Sequence, residues 1–162
     1  MATFEFQTQI NALPEEVFAY VSDLEKHPEW SHCDEISKTS EGPAGVGATY
    51  ASKGKNFGVT AKEKVEVKEF SPNQRFAWQS TGAMGLKFGW SFELRPEGGG
   101  TLLIERFDPP GGLVGSLVST IAGGTTRKAM QEGLGRVKER LESGRGATAE
   151  AGPEESAEEQ PS

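Results

Sequence analysis

The chain has 162 residues, of which 35% are apolar and 25% are charged, and its formal charge is −7. A chain of this length can bury a core in one domain, and no stretch of it approaches the ~18 consecutive apolar residues of a membrane-spanning helix. Cys33 is the only cysteine, so the chain can form no internal disulfide. The N-terminus has no basic region followed by an apolar run, as a signal peptide would. We therefore expect a cytoplasmic protein.

The negative charge is concentrated at the C-terminal end. Residues 147–162 contain five glutamates and no Lys or Arg, which leaves 19 acids against 17 bases in the rest of the chain. This segment has no large apolar residue, so it cannot offset its own ordering entropy. We predict a domain over residues 1–143 and a disordered, solubilising acidic tail over residues 144–162. The domain is not basic and has no aromatic-basic motif, so we expect no nucleic-acid partner.

The first forty residues predict a strand and two short helices. Apolar and polar residues alternate from Thr3 to Asn11, which is typical of a half-buried strand. Pro14-Glu15-Glu16 then predicts a helix start, with proline in the first turn and acids at the positive end of the helix dipole. A second short helix is predicted through Glu25 to Trp30.

Strands and turns alternate from Asp34 to Asp108. The clearest period of two runs from Met84 to Leu94, and turns are predicted at Ser71-Pro72-Asn73 and at Glu97-Gly98-Gly99-Gly100. Strands joined in this way predict an antiparallel sheet of six or seven strands with one face buried.

Beyond Gly112 the apolar period changes to that of a helix. Apolar residues recur at spacings of three and four from Leu113 to Leu141, and Gly144 is a predicted stop. The first part of this helix, Leu113 to Ile121, is apolar and uncharged. We favour packing of this segment on the sheet over contact with a membrane or a partner.

Several segments in this order resemble the START, polyketide cyclase and birch-pollen-allergen superfamily. They are Pro14 to Leu24 followed by Pro28-Glu29-Trp30, then Val65 to Trp78, and Gly99-Gly100-Thr101. The resemblance covers Thr3 to Leu141. It implies an α+β helix-grip fold, in which a curved antiparallel sheet wraps around a long C-terminal helix and two short helices follow the first strand. It also implies a cavity that binds a small hydrophobic ligand.

The same alternation selects side chains for the inner face of the sheet. Ligand sites are concave and mostly apolar with a few polar groups, and the predicted pocket residues are Trp30, Glu63, Val65, Trp78, Phe88, Trp90, Glu105, Phe107, Leu117 and Ile121. Simple core filling is the alternative at each apolar position. If Leu103 and Phe107 face inward, Glu105 does too. Two inward carboxylates on neighbouring strands, Glu63 and Glu105, could share a proton, and a salt bridge is the alternative. A register shift of one residue reverses these assignments.

No catalytic, cofactor or metal motif accompanies the predicted pocket. Gly-x-Ser-x-Gly and the phosphate-binding glycine loop are absent, and the spacing of His27, His32, Cys33 and Asp34 matches no zinc pattern. We therefore expect neither a cofactor nor a metal. The leading hypothesis is binding or carriage of a lipid, isoprenoid or aromatic polyketide by a monomer or homodimer. One alternative is a polyketide cyclase, dehydratase or aromatase that uses the inward carboxylates. Another is a non-catalytic interaction or stress-related module. Whether the protein is an enzyme stays open, with the balance against it.

Overall fold

The fold is known from a computed structural model that describes residues 3–56 and 59–155. Seven strands and two α-helices occur within those ranges. In chain order the elements are β1 (Phe4–Ile10), α1 (Pro14–Val21), a 3₁₀ helix (Leu24–Glu29), β2 (Cys33–Lys38), β3 (Thr49–Asn56), β4 (Val59–Ser71), β5 (Arg75–Thr81), β6 (Lys87–Glu97), β7 (Gly100–Asp108) and α2 (Gly112–Glu155).

All seven strands form one antiparallel sheet in the order β1-β7-β6-β5-β4-β3-β2. Each strand from β2 to β7 pairs with its neighbour in sequence, as short turns require, whereas β1 pairs with β7 in the register Phe4 opposite Phe107. The strand ends that include Phe4 and Asp108, together with the turn Ala83–Gly85, lie at one end of the sheet, which we call the open end. The curved sheet and long helix confirm the α+β helix-grip fold that the resemblance implies.

Helix α1 follows the far end of β1, and the 3₁₀ helix continues from it along β2. Pro14 occupies the first turn of α1, and the Glu16 carboxylate accepts a hydrogen bond of 2.9 Å from the Leu13 backbone N–H, which satisfies a donor left free at the helix start. The apolar side of α1 is buried. The 3₁₀ helix begins at the Asp23 side chain, which accepts from the Glu25 backbone N–H.

Two boundaries differ from those predicted. Met84 and Gly85 have positive φ angles of 59° and 73° and form the β5–β6 turn, so β6 begins at Lys87 although the apolar alternation starts at Met84. Helix α2 continues past Gly144 to Glu155. Residues 156–162 of the predicted tail lie outside the described residues, and the division at residue 143 stays a prediction.

Candidate functional site

Aromatic side chains from three adjacent strands line the face of the sheet that turns towards α2. Trp78, Trp90 and Phe107 are direct cross-strand partners on β5, β6 and β7. The ring centroids of Trp78 and Trp90 are 6.1 Å apart, and those of Trp90 and Phe107 are 4.2 Å apart. Because side chains alternate between the two faces of a strand, this register places one aromatic ring on each strand at the same height.

Burial of the β6 side chains on this face decreases towards the open end, whereas Phe107 on β7 and Phe4 on β1 stay buried. Phe76, Phe92 and Leu103, farther from that end, are completely buried, whereas Phe88 and Trp90 are half-buried. Aromatic surface is therefore within reach of a molecule that enters from the open end.

Glu105 lies on the same face, as the predicted register requires. Its cross-strand partners are Phe6 on β1 and Phe92 on β6, and it is only 3% exposed. Its Oε2 atom is enclosed and has no hydrogen-bond partner within the described residues. Burial among these groups raises the pKa of Glu105 from 4.5 to about 8, because the charged form loses its hydration and no positive group replaces it. At neutral pH the side chain is therefore a neutral carboxylic acid.

Trp30 covers the same region from the helical side. It ends the 3₁₀ helix, is 3% exposed, and its ring centroid lies 5.8 Å from that of Phe92. A Cβ at Gly133 of α2 would stand 3.3 Å from the indole ring, so the helix approaches this closely because residue 133 has no side chain. The indole Nε1 atom is enclosed without a hydrogen-bond partner in the part of the chain that the structure describes.

Glu63 faces the same side of the sheet but belongs to a different part of it. It is half-buried near Gly82 and Phe88 at the open end. Burial raises its pKa, and the Ser80 hydroxyl beside it opposes that shift. The expectation that Glu63 and Glu105 lie on neighbouring strands and share a proton is wrong, because β5 and β6 separate β4 from β7. Three strand spacings and several residues along the strands place the two carboxyl groups on the order of 20 Å apart.

The start of α2 projects beyond the open end of the sheet. The helix passes Phe4 at Gly123, where a Cβ would stand 3.7 Å from the ring, and reaches Asn11 at Glu142, whose carboxylate accepts from the Asn11 N–H. The 11 residues before Gly123 add about 16 Å of helix. Leu117 and Ile121 in this segment are 60% and 68% exposed, so the structure does not bring these two predicted pocket residues into the interior.

Val65 and the group around His27 complete the placement of the predicted residues. Val65 is buried on the inner face of β4, opposite Ser80 on β5 and Tyr50 on β3. His27 is buried, its Nε2 atom bonds to the Val21 carbonyl, and burial lowers its pKa to about 4. No group of three or more His, Cys, Asp or Glu side chains suited to a metal occurs among the residues described.

A family model described as polyketide cyclase / dehydrase and lipid transport matches residues 1–142. The chain belongs to this family. The resemblance to the superfamily that contains it is thereby confirmed, and the family's members handle hydrophobic small molecules.

Solved structures show the same fold at low sequence identity. TTHA0849 from Thermus thermophilus has a TM-score of 0.71 at 18% identity, covering 88% of this chain and 99% of that one. Ara h 8.0201 has a TM-score of 0.62 at 15% identity, covering 88% and 98%. The Aha1 dimer from Colwellia psychrerythraea has a TM-score of 0.61 at 19% identity, covering 87% and 96%. No curated protein sequence matches the chain.

Phe6 is a neighbour of Glu105 that the sequence analysis did not place in the predicted pocket. It lies directly opposite Glu105, because β1 pairs with β7. The alternation of Phe4 and Phe6 was visible, but the pairing joins residues about a hundred positions apart, and no local pattern indicates it.

No helix in the described part of this chain is long and apolar enough to cross a membrane.

An open groove lies elsewhere on the sheet, across β2, β3 and β4. Its volume is about 430 Å³. Three of the nine lining residues, Ile36, Ser52 and Glu63, lie on the inner face. The other six alternate to the outer face, away from Glu105 and the aromatic rings, and include Lys53, Lys62 and Lys64. This charged surface is unlike the apolar interior, and we assign it no part in the site.

Proposed function

We propose that the protein binds or carries a small, largely apolar molecule between the concave face of the sheet and α2. The enclosed carboxyl group of Glu105 is the observation that supports this most directly. A buried polar atom left without a partner costs roughly 1–3 kcal/mol, and native proteins contain few of them. A ligand that offers a polar group to Glu105 while covering the aromatic rings would remove that cost.

The ligand would enter at the open end and lose its hydration against the aromatic side chains. Phe88 and Trp90, both half-buried, would be the first surfaces that it meets. Leu117 and Ile121 belong to the proposed site as its mouth, because they lie on the projecting turns of α2. Apolar area removed from water stabilises a complex by about 25 cal/mol per Å², which is the main source of affinity in such a site.

Native mass spectrometry of the protein purified from its own host tests this proposal. We expect a discrete added mass that organic extraction releases and identifies. Phe88→Asp places a charge at the entrance and should abolish the added mass. Lys87→Asp, on the opposite face of the same strand, is the matched control and should retain it. A clean apo mass, together with no response to panels of lipids and polyketides in thermal-shift assays, would refute the proposal.

Acid catalysis on a carbonyl compound is the second candidate. It is favoured by the neutral state of Glu105, since a carboxylic acid that stays protonated at pH 7 can donate a proton to a substrate oxygen. Glu63 is too distant to act as its partner base. Turnover of a polyketide substrate that Glu105→Gln abolishes, while binding persists, would favour the cyclase or dehydratase role over carriage.

The setting of this function is also a proposal. We infer a cytoplasmic monomer or homodimer whose ligand-binding domain covers residues 1–143, with the acidic tail as a solubilising segment. Membrane contact through the projecting turns of α2 is secondary to ligand entry, so we expect the protein to stay at the bottom of a liposome flotation gradient with or without anionic lipid. Flotation with either vesicle would contradict that ranking.

A further inference from the structure

Two buried polar groups without partners border the same phenylalanine. Phe92 pairs with Glu105 across the strands on the inner face, and the Trp30 ring packs against it from the helical side. The enclosed atoms are Oε2 of Glu105 and Nε1 of Trp30, and neither has a hydrogen-bond partner in residues 3–56 or 59–155. One unpaired atom can be a local defect, but two at the border of one side chain indicate a place built for a polar group that the chain itself does not supply.

Both groups can donate a hydrogen bond. An indole N–H is a donor only, and a protonated carboxyl group donates through its hydroxyl. Two such donors beside one phenylalanine are suited to a ligand oxygen, which only accepts hydrogen bonds.

The charged and titratable groups on the surrounding elements contact other partners and not the two unpaired atoms. On α2, the Arg127 guanidinium lies over the Phe4 ring at 5.0 Å, and Arg136 donates to the Trp30 carbonyl at 3.0 Å. On the 3₁₀ helix, the buried His27 bonds to the Val21 carbonyl. The neighbours of Glu105 on β1 and β6 are Phe6 and Phe92, which carry no charge. No cation among these groups would balance an anionic ligand.

We propose that the interior site selects neutral molecules that carry a carbonyl oxygen, such as ketones, quinones and esters, and that Trp30 and Glu105 both donate to this oxygen. The inference rests on the proposed function and adds the ligand's chemical class to it. A pure hydrocarbon would leave both donors unpaired, and a carboxylate would bring an unbalanced charge into an apolar interior. Burial that keeps Glu105 protonated up to a pKa of about 8 is consistent with the donor role.

Displacement of a neutral fluorophore, N-phenyl-1-naphthylamine, compares three competitors that share a naphthalene ring. They are 2-acetylnaphthalene, a ketone; 2-isopropylnaphthalene, its hydrocarbon isostere; and 2-naphthoate, an anion. We expect the ketone to bind about tenfold more tightly than the hydrocarbon, since two hydrogen bonds are gained, and naphthoate to bind most weakly. Above pH 8 the preference for the ketone over the hydrocarbon should fall about threefold as Glu105 loses its proton, because only the Trp30 donor then remains.

Three variants assign the preference to the two donors. Trp30→Phe keeps a ring but removes the N–H, and Glu105→Leu removes the carboxyl group, so each should lower the preference for the ketone about threefold. Glu105→Gln keeps a donor that does not titrate, so it should keep the preference and abolish its dependence on pH. Glu139→Gln, on the exposed side of α2, is the control and should behave as the wild type.

The outcomes separate the two proposals. Displacement by the ketone and the hydrocarbon with equal affinity at every pH would overturn the carbonyl preference and leave the proposed function standing. A preference for the ketone that survives unchanged in both Trp30→Phe and Glu105→Leu would overturn the assignment to these residues. Failure of the fluorophore and all three competitors to bind the wild type, with every variant still folded by circular dichroism, would overturn the proposed function and this inference together.

Discussion

The wild type should lose stability as the pH rises from acidic to neutral because Glu105 is buried, and Glu105→Gln should not show this loss. The stability of Glu105→Gln relative to the wild type should therefore be higher at pH 7 than at pH 5. The change keeps the shape of the side chain but removes its ability to ionise. In the folded protein, burial raises the pKa of Glu105 from 4.5 to about 8, whereas in the unfolded chain the group regains its ordinary pKa. The unfolded wild type therefore gains free energy by ionising in a pH range where the folded protein cannot.

The size of the effect follows from the difference between the two pKa values. The stability of the wild type is undiminished below pH 4.5 and is lost progressively as the pH rises towards 8. Each pH unit in that range costs about 1.4 kcal/mol, which gives roughly 3 kcal/mol between pH 4.5 and pH 7 and about 5 kcal/mol by pH 8. Local opening that hydrates the carboxylate would lower these values. They are still a large share of a typical 5–15 kcal/mol of stability.

Urea unfolding of the ligand-free proteins at pH 5, 6, 7 and 8 measures this effect, with tryptophan fluorescence as the signal. With an m-value of ~2 kcal/mol/M, the difference in midpoint between Glu105→Gln and the wild type should grow by roughly 1.3 M from pH 5 to pH 7. Titration of other groups cancels in that difference, and Glu139→Gln should follow the wild type throughout. If the curves of Glu105→Gln and the wild type stay parallel across the whole range, the buried, protonated state of Glu105 is refuted.

Three further predictions concern the packing around the site. Gly100→Ala should lower the free energy of unfolding by about 2–4 kcal/mol, because its Cβ would overlap a carbonyl oxygen of β1. Gly135→Ala, whose Cβ would meet no atom within 4 Å, should raise it by up to ~1 kcal/mol. Equal effects in urea unfolding would contradict the close approach of β1. His27 has a pKa lowered to about 4, so stability should fall by roughly 3 kcal/mol as the pH drops from 6.5 to 4, and His27→Gln should flatten that slope in the same assay. Leu117→Gln should change the unfolding free energy by less than about 0.5 kcal/mol, against about 2–5 kcal/mol for the buried Leu134→Gln. A large cost at Leu117 would show that the start of α2 packs against the domain.

The register of β7 illustrates how far local sequence patterns reach. Alternation predicted that Leu103, Glu105 and Phe107 share a face, and the β6–β7 pairing confirms it. Met84 shows where the same rule fails. Its apolar side chain continues the alternation of β6, but its φ of 59° belongs to a turn. A pattern of apolar residues records which side a residue would face in a strand, and it does not record where the strand begins.

The placement of the two carboxylates shows what a local pattern cannot contain. The sequence indicates correctly that Glu63 and Glu105 face the same side of the sheet. It places them too close together, because distance across a sheet depends on strand order, and β5 and β6 lie between their strands. Leu117 and Ile121 fail for a related reason. Their helical spacing is correct, but the contact of Gly123 with Phe4 decides that the turns before it project past the sheet.

Periodicity, turn residues and short motifs are local in the chain, and they were enough to predict the fold class, the order of the elements, the face on which strand residues lie and the family. Which groups meet depends instead on contacts between distant parts of the chain. The pairing of β1 with β7 places Phe6 opposite Glu105, and the close approach of α2 at Gly133 holds Trp30 over Phe92. Enclosure without a partner is a property of such contacts between distant parts of the chain, and for that reason the unpaired carboxyl group and indole N–H could be recognised only once the chain was folded.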